Sequence, residues 1–242
     1  MPADLKRKMM QKLVQGIHTF QTHVFRKKQD LFRSLANGQK PATLFVTCSD
    51  SRVNPNLFTQ TEPGEIFVLR NAGNLIPPAP FEGGEIATIE FAVVALGIQD
   101  IIICGHSDCG AMKGLSDPGM VKETMPTVHR WLRHADRTAQ IMQKEYQHLQ
   151  GGELLTATVE ENVIVQIENL RTHDFIEERL AQGELKLHGW VYKFETGEVF
   201  NYEPETGQFL PLGIGREPTP TYPRIELSGV THHDRRAMRM GR

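Results

Sequence analysis

Two short strings at the ends of apolar runs constrain this chain most. Cys48-Ser49-Asp50-Ser51-Arg52 follows Leu44-Phe45-Val46, and His106-Ser107-Asp108-Cys109-Gly110 follows Ile101-Ile102-Ile103. Short apolar runs of this kind predict strands buried on both faces, as in a parallel sheet. Each string sets soft metal ligands just past the point where its strand should end. In an open parallel sheet, ligands gather in the crevice outside the carboxyl ends of the strands. Cys48, His106 and Cys109 can therefore converge on one ion if the two strands are neighbours. Two thiolates and one imidazole, without an obvious fourth protein donor, match a catalytic zinc site, which keeps one position open for water.

The remaining pattern surrounds those strands with helices. Leu13, Ile17, Phe20 and Val24 recur at helical spacing, and a second helical stretch ends at Asn37-Gly38. The apolar stripe needs a partner, either this subunit's core or a neighbouring subunit. Strands are predicted over 43–47 and 65–70, with an Asn- and Pro-rich loop between them. A helix carrying Ile86, Ile89, Val93 and Leu96 stops at Gly97, directly before a strand over 100–104. Long helical regions follow over about 126–149 and 154–170, then a short helix ending near Gly183. A strand over 185–194 turns at Thr196-Gly197, so that 199–202 pairs back antiparallel. The fold class expected is α/β: a central, mostly parallel sheet flanked by helices, with an antiparallel edge strand and an N-terminal helical arm. Residues 1–213 read as one domain including that arm, and 214–242 as a Pro- and Arg-containing tail.

The formal net charge of −2 offers no broad basic face for nucleic acid. No apolar stretch approaches the ~20 residues needed to span a bilayer, and no secretory signal precedes the first helix. The expected compartment is the cytoplasm. Three cysteines make an odd count, which argues against a disulfide framework and leaves thiolates available to a metal. Cys104 lies inside its strand and reads as a small buried hydrophobe.

Asp50 and Arg52 add chemistry. In an extended segment Cys48, Asp50 and Arg52 share one side. An Arg fork neutralises the carboxylate, keeps it off the metal and orients its remaining acceptor capacity. The bland alternative is a helix cap with a surface ion pair.

With these strings in hand, the chain resembles the β-class carbonic anhydrases. The likeness runs from about residue 20 to residue 211. It includes Cys48 to Arg52, Glu62-Pro63-Gly64-Glu65 with Arg70-Asn71-Ala72-Gly73-Asn74, Cys104 through Ala111, and His188-Gly189-Trp190-Val191-Tyr192. The resemblance implies one zinc per chain on Cys48, His106 and Cys109, with Asp50 and Arg52 as the dyad that orients hydroxide for attack on CO2. It implies a pocket in which Gln39 bonds substrate oxygen, Phe67 and Phe91 form apolar walls, and the Gly110 amide donates to bicarbonate. Phe91 stands where many members carry tyrosine. The family completes that wall across a subunit contact, which implies a homo-oligomer, at least a dimer and up to a tetramer or higher. Members shut off by bicarbonate bound away from zinc use a Trp, Arg, Tyr trio. Here Arg70 and Tyr192 match while Phe45 replaces Trp and cannot donate an indole N–H, so an open site is expected. His129, His134 and His173 are candidates for carrying the proton out, each weighed against a solvated or capping role.

Three other readings stay open at this level. One is a structural or redox-sensing zinc protein with Asp50 as fourth ligand. Another is a zinc hydrolase of a CO2-like molecule such as carbon disulfide. A third makes the basic tail a docking element, with the enzyme packed in a bacterial CO2-fixing compartment.

Overall fold

The computed structural model describes residues 3–213, 215 and 218–221. The chain forms two units, Met1–Gln39 and Lys40–Arg242. In the first, α1 (Ala3–Thr19) passes through a widened π turn (Phe20–Val24) into α2 (Phe25–Lys27) and α3 (Gln29–Leu35). Phe20, Phe25 and Phe32 pack on one another with ring centroids 5.3–6.2 Å apart. Leu13 and Ile17 of the predicted stripe stay exposed, at 54% and 58%.

Among the described residues, the second unit holds six strands and the remaining helices. In chain order they are β1 (Thr43–Cys48), α4 (Pro55–Thr59), β2 (Ile66–Asn71), α5 (Gly84–Glu90), β3 (Asp100–His106), α6 (Gly110–Ser116), α7 (Pro118–Thr124), α8 (Pro126–Leu132), α9 (Asp136–Glu145), α10 (Gly151–Leu170), α11 (Asp174–Ala181), β4 (Lys186–Lys193), β5 (Glu198–Glu203) and β6 (Gln208–Pro211). The sheet order is β2-β1-β3-β4-β5-β6. The first four strands are parallel and the last two add on antiparallel. The chain leaves β1 for β2 on one side and β3 for β4 on the other, so the connections that follow the adjacent carboxyl ends of β1 and β3 diverge at a topological switch point.

Strand alternation splits the core. Leu44, Val46, Ile101, Ile103, Leu187 and Val191 belong to the large apolar cluster shared with α5, α10 and α11. Phe45, Ile102 and Cys104 face the other way, against Phe58, Ile66, Val68, Trp190 and Tyr192. α10 lies so close to β3 that a Cβ at Gly105 would fall 2.9 Å from side-chain carbons of both Val159 and Val163. Glycine there lets the helix seat against the sheet just before His106.

Several details differ from the sequence expectation. The stretch 55–59, read as loop, is a helix, capped by Asn54 accepting from the Leu57 N–H and opened by Pro55. The helical region over 126–149 is broken by a tight 3-10 turn at Arg133–Ala135. α5 continues into a π turn, Phe91–Ala95, before Gly97 ends it at φ +67°. A further edge strand, β6, follows β5. Of the expected tail 214–242, only 215 and 218–221 are described and the rest lies outside the described residues. Thr221 is buried, and its N–H donates to Leu187 O.

Candidate metal centre

Parallel pairing of Thr47 with Cys104 places the ends of β1 and β3 side by side. Cys48 ends β1, His106 ends β3, and Cys109 arrives three residues later at the entrance to α6. The tight return is made by Asp108 in the left-handed region at φ +55°, a conformation that Asp tolerates better than most residues. The two sulfurs and the imidazole nitrogen lie within 4.8 Å of one another. All three residues are buried.

His106 Nδ1 bonds the Ser107 carbonyl at 2.8 Å, which directs the other nitrogen inward. That atom, Nε2, is buried and has no hydrogen-bond partner. A buried ring nitrogen without a partner is costly, and a metal ion is the partner this donor set accommodates. The thiols tell the same story. Hydrogen bonding from Cys109 holds the Cys48 thiol far below its ordinary value against the opposing effect of burial, with help from the Gly73 N–H. The same pairing, reinforced by burial, pushes Cys109 upward. Two adjacent buried sulfurs keep one proton between them unless a cation compensates the second negative charge. Two cysteines and a histidine suit zinc, with one tetrahedral position left over.

Asp50 does not take that position in this geometry. Arg52 Nε donates to Asp50 Oδ1 at 2.9 Å and Nη2 to Oδ2 at 2.7 Å, while the Arg52 amide also reaches Oδ1 at 2.9 Å. The guanidinium holds the Asp50 carboxyl well below the usual range. Arg52 is itself held by two further groups. Its Nη1 donates to Asp108 Oδ2 at 3.0 Å, Lys113 pairs with the same carboxylate, and the Phe194 ring lies 4.3 Å beneath the guanidinium carbon.

A family model for carbonic anhydrase matches residues 43–199. The carbonic anhydrase of Synechocystis sp. is 49% identical over 202 residues, which is 83% of this chain and 74% of that one. Among solved structures, the β-carbonic anhydrase CcaA aligns with a TM-score of 0.84 at 46% identity, covering 86% of this chain and 94% of its own. The chain belongs to the β-carbonic anhydrase family. A tetrameric β-carbonic anhydrase from Sordaria macrospora also aligns, with a TM-score of 0.74 at 26% identity over 80% and 96% of the two chains.

The other residues expected from β-carbonic anhydrases are distributed unevenly. Phe67 on β2 and Phe91 beyond α5 face each other with ring centroids 6.2 Å apart, and Phe91 is 50% exposed. Gly110 follows Cys109 with open space where a side chain would stand. Gln39 is the last residue of the first unit and is exposed. Phe45 is fully buried, edge-on to Phe58 and Trp190, and Tyr192 stacks on Phe58 at 4.5 Å. His173 is buried and bonds Pro77 O at 2.9 Å, a structural role. His134 is wedged between Phe81 and Trp131, where burial pulls its pKa down.

Two groups beside the centre were not singled out from the sequence in these roles. Arg70 Nε donates to Cys48 O at 3.1 Å and Nη2 to Asp50 O at 2.8 Å, pinning the backbone that carries both side chains. The Gly73 N–H reaches Cys48 Sγ at 3.4 Å. Arg70-Asn71-Ala72-Gly73-Asn74 stood out in the sequence as a string, but nothing local says that its amide meets a sulfur.

Proposed function

We propose that this β-carbonic anhydrase hydrates CO2 reversibly to bicarbonate and a proton, with one zinc per chain on Cys48, His106 and Cys109. The observation that carries the reading is the three-ligand cluster whose nearest rival for a fourth position, Asp50, has both oxygens engaged by Arg52. Zinc, when bound, supplies Lewis acidity that brings the pKa of water to about 7, a value already established for carbonic anhydrase rather than worked out from this site.

The chain's own residues do the rest. Asp50 Oδ2 takes one bond from Arg52 and keeps a lone pair to accept a hydrogen bond from the attacking hydroxyl, which stays protonated with its nucleophilic lone pair turned toward CO2 carbon. The Gly110 N–H at the start of α6 binds a substrate oxygen. Phe67 and Phe91 exclude water around an apolar, linear substrate. The half-exposed Phe91, the exposed stripe of α1 and the tetrameric relative support a homo-oligomer that completes this wall. Phe45 in place of an indole donor, together with the Arg52 fork on Asp50, supports a site that stays open at neutral pH. None of the described helices is long and apolar enough to cross a membrane. The three free thiols suit a reducing compartment, and we assign the cytoplasm.

The test is zinc content with stopped-flow CO2 hydration for the parent chain, Cys48→Ser and Asp50→Asn. Cys48→Ser should lose metal, whereas Asp50→Asn should keep it and lose most activity. A zinc-loaded parent chain inactive at neutral and alkaline pH would instead favour a sensor, and preference for carbon disulfide a related hydrolase.

A further inference from the structure

The loop 71–76, between β2 and α5, presents the Gly73 N–H to Cys48 Sγ, yet it has no regular ladder of its own. Gly73 and Asn74 both sit at positive φ, +86° and +50°. Side chains hold it, one of its own and others from elsewhere. Asn71 bonds both the N–H and the carbonyl of Leu75 at 2.8 Å. The Trp131 indole N–H donates to Ala72 O at 2.8 Å. From α10, Asn162 Nδ2 donates to Gly73 O at 3.2 Å, Gln166 Oε1 accepts the Ile76 N–H at 2.7 Å, and Asn169 Nδ2 donates to Ile76 O at 2.9 Å.

Residues 162, 166 and 169 fall on one face of the helix. The three amides also bond one another, Gln166 Nε2 to Asn162 Oδ1 at 3.0 Å and Asn169 Nδ2 to Gln166 Oε1 at 3.2 Å. Their exposures are 1%, 0% and 9%. Burying three amides on a helix face that could have been leucine costs desolvation, which hydrogen bonds only offset. An amide row makes sense where the surface opposite is irregular backbone that must be held in one orientation.

The peptide unit joining Ala72 to Gly73 shows the purpose. Its carbonyl is held by Trp131 and its N–H points at the sulfur, while the next carbonyl along is held by Asn162. Rotation of that peptide would aim the N–H elsewhere.

We propose that Asn162, Gln166 and Asn169, with Trp131, are positioning residues that hold the Gly73 N–H on the Cys48 thiolate and thereby set its donor strength toward the metal. The inference rests on the Cys48, His106, Cys109 reading of the metal centre. An N–H···S bond draws electron density from the thiolate, and groups that bond metal ligands tune affinity and activity by about 10–100-fold.

The experiment uses the full chain loaded with cobalt(II) and reads its thiolate-to-cobalt charge-transfer band, with metal affinity measured by chelator competition. Trp131→Phe keeps an aromatic ring at a half-buried position and removes the donor. Asn162→Leu keeps the approximate volume and removes the bond to Gly73 O. Both should move the band to lower energy, because the thiolate regains electron density, and should weaken metal binding by about 10-fold or more, because the loop and its ligand are no longer held in the binding geometry. If Asn162→Leu fails to fold, Trp131→Phe alone decides. An unchanged band and affinity in a folded variant, even one with a lower Tm, overturns the inference. A parent chain with no thiolate-to-cobalt band overturns the metal reading itself, and with it the basis of this one.

Discussion

Replacing Gly73 by alanine tests how tightly the metal centre is built. At φ +86° the new Cβ meets the left-handed penalty of roughly 1–2 kcal/mol. It would also stand 2.9 Å from Ala111 Cβ and 3.2 Å from Met112 Cε. Ala111 has no rotamer to retreat into and sits two residues past Cys109, so either the loop or the first turn of α6 must yield. Overpacking of this kind costs about 1–3 kcal/mol. The two effects together come to about 2–5 kcal/mol, or a Tm loss of roughly 4–20 °C for a chain of this size. Gly97→Ala is the matched control, because Gly97 is also left-handed, at φ +67°, but has open space around it. It should lose only the backbone part, roughly 1–2 kcal/mol. Thermal unfolding of zinc-loaded and metal-stripped protein, with chelator competition, separates the outcomes. Gly73→Ala should lose more stability than Gly97→Ala and bind zinc more weakly. Equal Tm losses with parental zinc affinity would refute the close approach of loop and ligand.

Three further outcomes follow from the geometry. Lysine for Arg52 cannot reproduce the bidentate fork, so Arg52→Lys should retain zinc while CO2 hydration falls by at least about 10-fold, on the scale of groups that orient catalytic residues; near-parental turnover by stopped flow would contradict it. Burial pushes the Cys104 thiol up to about 12, so alkylation followed by mass spectrometry should leave Cys104 unlabelled at pH 8 in the folded protein and label it after denaturation. Burial, against the pull of Asp100 2.7 Å away, lowers the His188 pKa below its ordinary 6.5. The unfolded chain therefore binds more protons there, and stability present above about pH 6.5 should fall as pH drops through the folded value. Urea midpoints across pH 5–7 should slope less in His188→Gln than in the parent chain.

The strands that matter were legible because their signal is local. The runs at 44–46 and 101–103 read as buried strands, which sets the ligands beyond them at carboxyl ends. The break in the helical stretch over 126–149 was not legible, because 133–135 carries no proline or glycine to announce it. Its consequence is tertiary: the turn presents the His134 carbonyl to Gln166 and Asn169 at 3.4 and 3.1 Å. β6 escaped notice as a short edge strand whose pairing with β5 is its main source of order. The amides of α10 were visible at helical spacing, but in a sequence a buried amide looks like a solvated one.

Residue chemistry and hydrophobic period, both local properties, determined the α/β class, the donor atoms and the end of the sheet at which they appear. Only the folded chain decided that β1 lies beside β3 with Thr47 opposite Cys104, that Arg70 from β2 grips the Cys48 and Asp50 carbonyls, and that Asp108 holds Arg52 from a residue 56 positions away. Strand order and register arise from the packing of whole faces against one another. No short window of sequence contains that information, and it is what turns two distant strings into one centre.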